Sequence, residues 1–395
     1  MATDARMIVG IVGAGAMGGG IAHVAAAAGH QVIIGDAHAN AVQRAVASIA
    51  RALARDVEKG RVDQAAADAT LARISTAGDL ATGYGAFRQC GIVIEAIAEV
   101  LSAKTALLRE LEKEVESACI LGTNTSSLSV AAIASSCQHA RRVIGIHFFN
   151  PATVMPLVEI IPAITTDAGI TARARALIDG WKKTTVIATD TPGFIVNRVA
   201  RPFYGESLRL LEEGIADAPT IDWAMRELGG FRMGPFELMD FIGNDINFAV
   251  TQSVYEGFFF DPRYRPALTQ RRLVEAGLLG RKREHGYYDY HVGATRPEPT
   301  RDARLGREIV DRVVAMLVNE AVEAVYMRVA SPADIETAMT KGVNYPRGLL
   351  AWGDEIGSVV ILERLEQLQD EYGEDRYRPS PLLRRHVRQG RALLG

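Results

Sequence analysis

The stretch MIVGIVGAGAMG, residues 7–18, decides the fold class because it joins an apolar run to a glycine-rich turn. Residues 7–12 predict a buried strand, and the GxGxxG pattern after it opens an alanine-rich helix that ends near Gly29. A second apolar run, Val32 to Ile34, leads to Asp36. Strand, glycine turn, helix and strand in this order are typical of one βαβ unit.

The three glycines of this turn are Gly13, Gly15 and Gly18. The first permits a tight turn, the second lets the backbone approach a pyrophosphate, and the third lets helix and strand pack closely. The amino end of the helix adds N–H groups and partial positive charge that favour phosphates. A purely structural turn is the alternative, but the strand before it and the helix after it favour a dinucleotide site.

Asp36 ends the second strand, at the position where dinucleotide-binding folds hold a ribose. Its carboxylate accepts hydrogen bonds from ribose hydroxyls and repels a 2′-phosphate, and no arginine follows directly to reverse that preference. The sequence therefore predicts NAD rather than NADP as the cofactor. A helix cap formed by Asp36 is the alternative interpretation.

Strands and helices continue to alternate up to about residue 189, after which the pattern is helical and we expect one helix over 194–213. This order predicts an α/β Rossmann domain with a mostly parallel sheet, followed by all-α structure. We predict four segments: a Rossmann domain at 1–189, a helical substrate and pairing domain at 190–290, a polar linker at 291–306, and a degenerate second helical domain at 307–395.

The two helical domains are predicted to be tandem copies because their sequences correspond in one register. At a single offset Glu206 meets Glu320, and after a slip of one residue the motif RYRP at 263–266 meets RYRP at 376–379. The same register also aligns Ile221 with Ile335, Met225 with Met339, Gly234 with Gly348, Asp240 with Asp354, and Gly243 with Gly357.

Charge and cysteine content exclude several classes of function. The formal net charge of −3 gives no general attraction to nucleic acid. The cysteines Cys90, Cys119 and Cys137 fit no metal-binding spacing and no disulfide framework, so we predict no metal and a reducing environment. No apolar stretch is long enough for a membrane span and no signal peptide is recognisable, so we expect a cytoplasmic protein.

Polar segments follow three predicted elements: TNTSS at 123–127, HFFNP at 147–151 and DTPGFIVN at 190–197. In a doubly wound sheet the carboxyl ends of the strands face the ligand crevice. Oxidation of an alcohol needs a base, and histidine is the side chain best suited to this task near neutral pH, which makes His147 the candidate. Glu159 on the next strand is placed to orient that ring, although a structural histidine is the common alternative.

The motifs GAGAMGGGIA, NTSSL, HFFNP, LVEII and DTPGFIVNR stand in this order along the chain. Together they resemble the L-3-hydroxyacyl-CoA dehydrogenase family over nearly the whole chain, and HFFNP with TPGFIVNR is highly specific as a pair. The resemblance implies an NAD-dependent enzyme of the fatty-acid β-oxidation type that exchanges a hydride with the 3-hydroxyl of an acyl-coenzyme A thioester. It also implies that both helical domains are of this family's C-terminal type.

The resemblance assigns roles to individual residues. His147 would be the general base and Glu159 would orient and polarise it. Ser126 would hydrogen-bond the substrate oxygen near the nicotinamide, and Asn197 would bind the substrate near the thioester carbonyl. Asn150 would lie near the nicotinamide ribose.

Further cofactor contacts follow from the same resemblance. Without it, Glu99 and Lys104 would be taken as solvated helix charges. The implied contact positions are Gly13, Gly15, Ala16, Met17, Gly18, Asp36, Ala98, Glu99, Lys104, Ser126 and Asn150.

The sequence departs from the family pattern in three places. Val100 follows Glu99 where asparagine is usual, Pro156 stands where lysine is common, and GRKREHGYYDY at 280–290 replaces a more glycine-rich segment. These departures bear on the shape of the acyl and coenzyme A sites and leave the four predicted catalytic residues intact.

The second helical copy has Asp311 where the first has Asn197, and it ends before any equivalent of 280–290. We therefore expect it to be non-catalytic. Because helical domains of simple family members pair between subunits, we expect the two copies to pack together as a pseudo-dimer within one chain, with a homodimer of whole chains also open.

Two other functions remain compatible with the sequence. One is a dehydrogenase of a non-CoA 3-hydroxy substrate, similar to carnitine dehydrogenases. The other is a structural NAD-binding protein that has lost its chemistry. Both short acyl chains and dicarboxylyl chains such as 3-hydroxyadipyl fit, but a dicarboxylyl substrate needs a cation for its far carboxylate, and the sequence identifies none.

Overall fold

A computed structural model describes the chain from residue 7 to its end at residue 395. The first part of the chain forms one sheet. Residues 1–6 of the predicted first domain lie outside the described residues. The strands are β1 (Ile8–Val12), β2 (Val32–Gly35), β3 (Ile74–Thr76), β4 (Cys90–Glu95), β5 (Ile120–Thr123), β6 (Val143–Phe148), β7 (Leu157–Pro162) and β8 (Thr184–Ile187). Their order in the sheet is β3-β2-β1-β4-β5-β6-β7-β8.

Neighbouring strands are parallel except β6 and β7, which run antiparallel. Strands β4 and β6 are buried along almost their whole length, as continuous apolar runs of this kind require when both faces of a sheet are covered. The helices of this unit are α1 (Ala16–Ala27), α2 (Ala39–Glu58), α3 (Gln64–Ala72), α4 (Leu101–Glu114), α5 (Val130–Ala134) and α6 (Ala168–Gly180).

The strand order brings two of the three predicted site segments, those after β5 and β6, to one edge of the sheet, whereas residues 190–197 follow β8, which runs in the opposite direction. From β1 the chain continues to β2 on one side of the sheet, and from β4 it continues to β5 on the other side. Doubly wound folds bind ligands in the crevice at such a switch point. The residues after β1, β4 and β5 meet there: the Ala96 amide donates to the Val12 carbonyl and the Asn124 amide donates to the Glu95 carbonyl. The fold is the Rossmann-like sheet that the sequence predicts.

The second unit is helical and begins at Pro192, directly after the first unit ends at Thr191. Its helices are α7 (Val196–Val199), α8 (Arg201–Glu212), α9 (Ala218–Trp223), α10 (Pro235–Ile242), α11 (Asn244–Gly257), α12 (Leu268–Glu275), α13 (Ala303–Tyr326), α14 (Pro332–Gly342), α15 (Leu349–Ile356), α16 (Ser358–Tyr372) and α17 (Pro381–Gln389). A π-helical turn, Ala224–Leu228, continues α9. None of the helices in the described part of the chain is both long and apolar enough to cross a bilayer.

Two details of the predicted elements differ from the structure. The single helix expected over 194–213 is wrong, because α7 ends at Val199 and α8 begins at Arg201. Pro202 near the start of α8 has no N–H to continue the hydrogen-bond ladder, which favours a break there. The edge strands β3 and β8 are short and were not expected from the sequence.

The helices of the second unit recur at the offset at which the sequences correspond. Helices α10 and α15 have equivalent bounds, and each ends at a glycine with positive φ, Gly243 at 104° and Gly357 at 101°. Side-chain contacts recur as well. Asp222 accepts the backbone N–H groups of residues 236 and 237, and its counterpart Glu336 accepts those of residues 350 and 351.

Buried ion pairs connect the earlier helices of this unit to the later ones in a reciprocal pattern. Arg198 Nε lies 2.7 Å from Glu320 Oε1, and its counterpart Arg312 places Nε 2.6 Å from Glu206 Oε1. Each glutamate also accepts a tyrosine hydroxyl, Glu320 that of Tyr264 at 2.6 Å and Glu206 that of Tyr377 at 2.8 Å. The same contact, in which one glutamate accepts from an arginine and a tyrosine, is therefore made twice. One glutamate lies in the later helices and the other in the earlier helices.

The substitution Glu206→Gln should destabilise the second unit because it leaves the buried Arg312 and Arg376 with one carboxylate fewer. We expect a loss of about 3–5 kcal/mol in the free energy of unfolding, as is usual when one partner of a buried pair is removed. Urea unfolding followed by circular dichroism measures it.

The control for this prediction is Glu308→Gln, which removes an exposed partner of Arg304. An exposed pair contributes at most about 1 kcal/mol. Equal effects of the two substitutions would contradict the importance given to the buried pair.

Candidate active site

The glycine turn after β1 has the shape that a dinucleotide pyrophosphate requires. Gly13 has φ of 102°, and a Cβ there would stand 2.6 Å from the Ala96 carbonyl oxygen. A Cβ on Gly18 would stand 1.7 Å from the Gly13 carbonyl oxygen, so both positions exclude any side chain. A Cβ on Gly15 would meet nothing within 4 Å. Gly15 therefore faces open space at the start of α1, where an NAD pyrophosphate fits.

Asp36 ties the end of β2 to the glycine turn. Its Oδ2 accepts the Ala14 N–H at 2.7 Å and its Oδ1 accepts the His38 N–H at 2.9 Å. The N-cap residue of α2 is His38 and no side chain caps this helix, so Asp36 is not the helix cap of the alternative interpretation. The half-buried carboxylate also lines a cleft of about 570 Å³ with Gly15, Ala16 and Asn150.

Lys104 is not a solvated helix charge, because its side chain is 1% exposed. Its Nζ lies 2.9 Å from both carboxylate oxygens of Glu95 and 3.3 Å from Glu99 Oε2. Glu95 is fully buried at the end of β4 and also accepts the Thr123 hydroxyl. A single ammonium thus balances two carboxylates beneath the crevice.

Glu99 holds the loop that carries Ser126. Its Oε1 accepts the Thr125 hydroxyl at 2.7 Å, the Ser126 N–H at 2.7 Å, and the Ser127 N–H and hydroxyl, each at 3.0 Å. Burial alone would raise the pKa of Glu99, but Lys104 and these hydrogen bonds outweigh it, so the pKa lies below its usual value. The Ser126 hydroxyl is 3.2 Å from the same oxygen.

His147 and Glu159 face each other across the antiparallel pair β6 and β7. His147 Nδ1 lies 2.7 Å from Glu159 Oε2. The imidazole side chain is 7% exposed and the carboxylate is fully buried. The Phe149 ring packs beside the imidazole, with ring centroids 4.5 Å apart. A carboxylate in this position fixes the orientation of the ring.

Two residues that the sequence analysis did not assign to the site connect its loops. Asn124 Oδ1 accepts the Phe148 N–H at 2.9 Å, which joins the loop after β5 to the end of β6. Asp190 accepts the Val130 and Ala131 N–H groups at 2.9 and 2.7 Å and thereby caps α5. A polar residue that directly follows a buried strand was the available signal for Asn124.

The remaining predicted residues lie in three places. Met17 is half-buried in the first turn of α1, and Ala98 is exposed after β4. Asn197 is half-buried in α7 of the second unit, three residues after Phe194, whose φ is 47°. The structure therefore groups His147 with Glu159, and Glu99 with Lys104 and Ser126, while Asn197 belongs to the other unit.

A glycine turn shaped for a pyrophosphate, a ribose-position carboxylate and a buried histidine–carboxylate pair define an NAD-dependent dehydrogenase. Comparison with known proteins identifies the family. The family "3-hydroxyacyl-CoA dehydrogenase, NAD binding domain" matches residues 8–191, and "3-hydroxyacyl-CoA dehydrogenase, C-terminal domain" matches residues 193–290 and 309–393. The chain belongs to the 3-hydroxyacyl-CoA dehydrogenase family.

Individual relatives agree with this family. A 3-hydroxyadipyl-CoA dehydrogenase of Escherichia coli is 38% identical over 96% of this chain and 97% of its own. A 3-hydroxybutyryl-CoA dehydrogenase of Bradyrhizobium diazoefficiens is 39% identical over 74% of this chain and 98% of its own. The crystal structure of an Escherichia coli 3-hydroxybutyryl-CoA dehydrogenase superposes with a TM-score of 0.92 at 36% identity, covering 97% of this chain and 98% of that one.

The activity follows from the family and the site. The chain is an NAD-dependent oxidoreductase that interconverts 3-hydroxyacyl-CoA and 3-oxoacyl-CoA. This agrees with the function that the sequence resemblance implies.

The carboxylate of Glu99 should stabilise the protein in a pH-dependent way. The pKa of Glu99 is lower in the folded chain than in the unfolded one. The carboxylate therefore contributes its full stabilisation of the fold at pH values above the usual glutamate pKa of about 4.3. The contribution is lost as the pH falls through the folded-state pKa. The difference in melting temperature between the wild type and Glu99→Gln should therefore be largest near pH 7 and shrink below pH of about 4.

Thermal unfolding across this pH range tests the prediction. Glu58→Gln, at an exposed position in α2, is the matched control and should track the wild type at every pH. A gap for Glu99→Gln that stays constant with pH would show that the carboxylate charge is not what holds the loop.

Proposed function

We propose that His147 is the general base of the oxidation and that Glu159 positions it. The observation that carries this proposal is the 2.7 Å contact between His147 Nδ1 and Glu159 Oε2 within a buried antiparallel strand pair. Since Nδ1 faces the carboxylate, Nε2 is the ring atom that exchanges the proton with the substrate. The buried carboxylate stabilises the imidazolium that results.

Bound NAD supplies the hydride acceptor for this reaction. The 3-hydroxyl of the substrate loses its proton to His147 as its carbon becomes a carbonyl. In the reverse direction the protonated His147 returns that proton to the oxygen. Glu159 keeps the same ring face and tautomer in both directions, which is the usual task of a carboxylate behind a catalytic histidine.

Ser126 and Asn197 complete the proposed substrate-binding set. Ser126 is suited to a fixed contact because Glu99 anchors both its backbone N–H and its hydroxyl. Asn197 is half-buried on a short helix that follows Gly193, whose φ is 75°. We assign Ser126 to the substrate oxygen and Asn197 to the region of the thioester carbonyl.

The proposed cofactor contacts divide by the way they act. Gly13, Gly15, Ala16, Met17 and Gly18 shape the pyrophosphate turn. Asp36, Ala98, Glu99, Ser126 and Asn150 supply polar or backbone groups around the nucleosides. Lys104 is buried under Glu95 and Glu99, so we infer that it acts on the cofactor through the charge and position of Glu99.

We further propose that residues 190–290 and 307–395 are two tandem domains of the family's C-terminal type, joined by the segment 291–306 and paired as a pseudo-dimer. The reciprocal contacts of Arg198 with Glu320 and of Arg312 with Glu206 support this arrangement. Asp311 replaces Asn197 in the later copy, which is consistent with a partner that carries no substrate contact of that kind.

We infer a reducing compartment, the cytoplasm, from the cysteines. Cys90, Cys119 and Cys137 are all buried and unpaired in the described part of the chain. Burial raises the pKa of Cys90 and of Cys119 to about 12, which suppresses thiolate chemistry.

Loss of the proposed base should abolish turnover without abolishing cofactor binding. NADH oxidation with acetoacetyl-CoA should fall by a factor of about 10²–10⁴ in kcat for His147→Gln, because general-base catalysis contributes this much. Glu159→Gln should reduce kcat by about 10²-fold or more and should change the pH dependence of kcat. Absorbance at 340 nm measures the rate, and NADH fluorescence measures binding.

His139→Gln, at an exposed histidine, is the control and should turn over like the wild type. Full activity of His147→Gln would refute the proposed base. A wild-type enzyme that binds NADH but does not turn over acetoacetyl-CoA would point instead to a substrate that is not a short acyl-CoA.

The charge of Asp36 should set the preference for NADH over NADPH. The substitution Asp36→Asn keeps an oxygen for the Ala14 N–H and removes the repulsion of a 2′-phosphate. We expect the ratio of kcat/KM for NADH to that for NADPH to fall by about 10-fold or more, equivalent to the 1.4 kcal/mol of one decade. The control, Asp68→Asn at an exposed site, should keep the wild-type ratio. A wild-type ratio in Asp36→Asn as well would contradict the assignment of Asp36 to the ribose.

A further inference from the structure

One buried arginine of the second unit lacks the partner that its neighbours have. Among the described residues of this unit the buried arginines are Arg198, Arg201, Arg263, Arg312 and Arg376. Four of them lie within 4.0 Å of a glutamate carboxylate. Within residues 192–395 as described, Arg201 is the exception, although only 6% of its surface is exposed.

The contacts that Arg201 does make are all with neutral groups. Its Nε donates to the Asn197 carbonyl at 2.7 Å, its Nη1 donates to the Thr251 hydroxyl at 3.1 Å, and its guanidinium lies 4.8 Å from the centre of the Tyr204 ring. Burying a cation without a compensating anion is costly, so such a residue requires an explanation. Burial lowers the pKa of Arg201, opposed only by Tyr204 and Tyr345.

A second unsatisfied group lies near the first. The Tyr345 hydroxyl is buried and has no hydrogen-bond partner. Phe203, the neighbour of Tyr204 in α8, packs against the Tyr345 ring, which brings Tyr345 to the helix that carries Arg201 and Tyr204. The Tyr345 ring is fixed by Phe203 and Phe231, with centroids 5.7 and 5.0 Å away. A buried hydroxyl held in this way is a donor without an acceptor.

We propose that Arg201, with the hydroxyls of Tyr204 and Tyr345, binds the carboxylate at the far end of a dicarboxylyl acyl chain. This inference rests on the proposed function, in which Asn197 contacts the substrate near its thioester. A carboxylate is the chemical group that satisfies a guanidinium and tyrosine hydroxyls together, since it offers only acceptors. Such a carboxylate is the missing partner of Arg201.

Arg201 also lies beside the residue that we place near the thioester, since its Nε donates to the Asn197 carbonyl at 2.7 Å. An acyl chain without a terminal carboxylate would leave Arg201 without an anionic partner.

The subsite includes a group from the later helices. Tyr345 lies between α14 and α15, whereas Arg201 and Tyr204 lie on α8. Phe231 occupies the position of the earlier copy that corresponds to Tyr345, and phenylalanine has no hydroxyl to offer. The later copy therefore contributes to substrate selection in addition to packing.

The test compares two thioesters of equal length, 3-oxoadipyl-CoA and 3-oxohexanoyl-CoA, which differ in the terminal carboxylate. NADH oxidation gives kcat/KM for each. We expect the wild type to prefer 3-oxoadipyl-CoA by about 10²-fold, as one or two charge-assisted hydrogen bonds provide. Arg201→Gln should reduce this preference by about 10–100-fold, mainly through KM, and Arg201→Lys should restore part of it.

Tyr345→Phe removes one hydroxyl without changing the packing, and should reduce the preference by about 3–10-fold. Arg232→Gln, at an exposed arginine of the same unit, is the control and should keep the wild-type preference. Circular dichroism and NADH binding establish that each variant is folded.

Three results are distinguishable. A wild-type enzyme that reduces both thioesters equally, or variants that slow both to the same extent, would overturn the carboxylate subsite and leave the proposed function standing. A wild-type enzyme that reduces neither thioester with bound NADH would overturn the proposed function itself. Loss of preference confined to the Arg201 and Tyr345 variants would support the subsite.

Discussion

The loops of the candidate site are held by the buried ammonium of Lys104. The ammonium of Lys104 lies against Glu95 at the end of β4 and against Glu99 in the following loop. Glu95 accepts the Thr123 hydroxyl, and Glu99 gathers the backbone around Ser126. The ends of two neighbouring strands are thus held by ionic contacts where the sheet itself no longer supplies hydrogen bonds. A site on loops needs such support to keep a fixed geometry.

The pair that we propose as catalytic, His147 and Glu159, is supported in a different way, by the sheet itself. His147 and Glu159 are directly opposite residues of an antiparallel pair, so strand register alone sets their separation. A slip of one residue would turn the carboxylate to the other face of the sheet. The antiparallel pairing of β7 with β6 therefore has a consequence for chemistry, because it brings a carboxylate behind the ring without a long connection.

The sequence predicted what local patterns determine. The glycine turn, the sheet and the histidine segment each have a period or motif of their own, and Pro202 carried a signal for the helix break that the apolar periodicity concealed. Pairings distant in sequence carry no such signal. Lys104 looked solvated because helix lysines usually are, and nothing local indicates that Arg198 and Arg312 have carboxylate partners while Arg201 has none. Burial and partnership of charges depend on tertiary packing.

The ion pairs between the earlier and later helices of the second unit belong to a single polypeptide. Contacts between separate chains weaken on dilution, whereas contacts within one chain benefit from a constant effective concentration. In the tandem arrangement that we propose, the two sides of the contact do not have to be identical, as a twofold association of one sequence would require. Each side is then able to change independently, as phenylalanine at position 231 and tyrosine at position 345 illustrate.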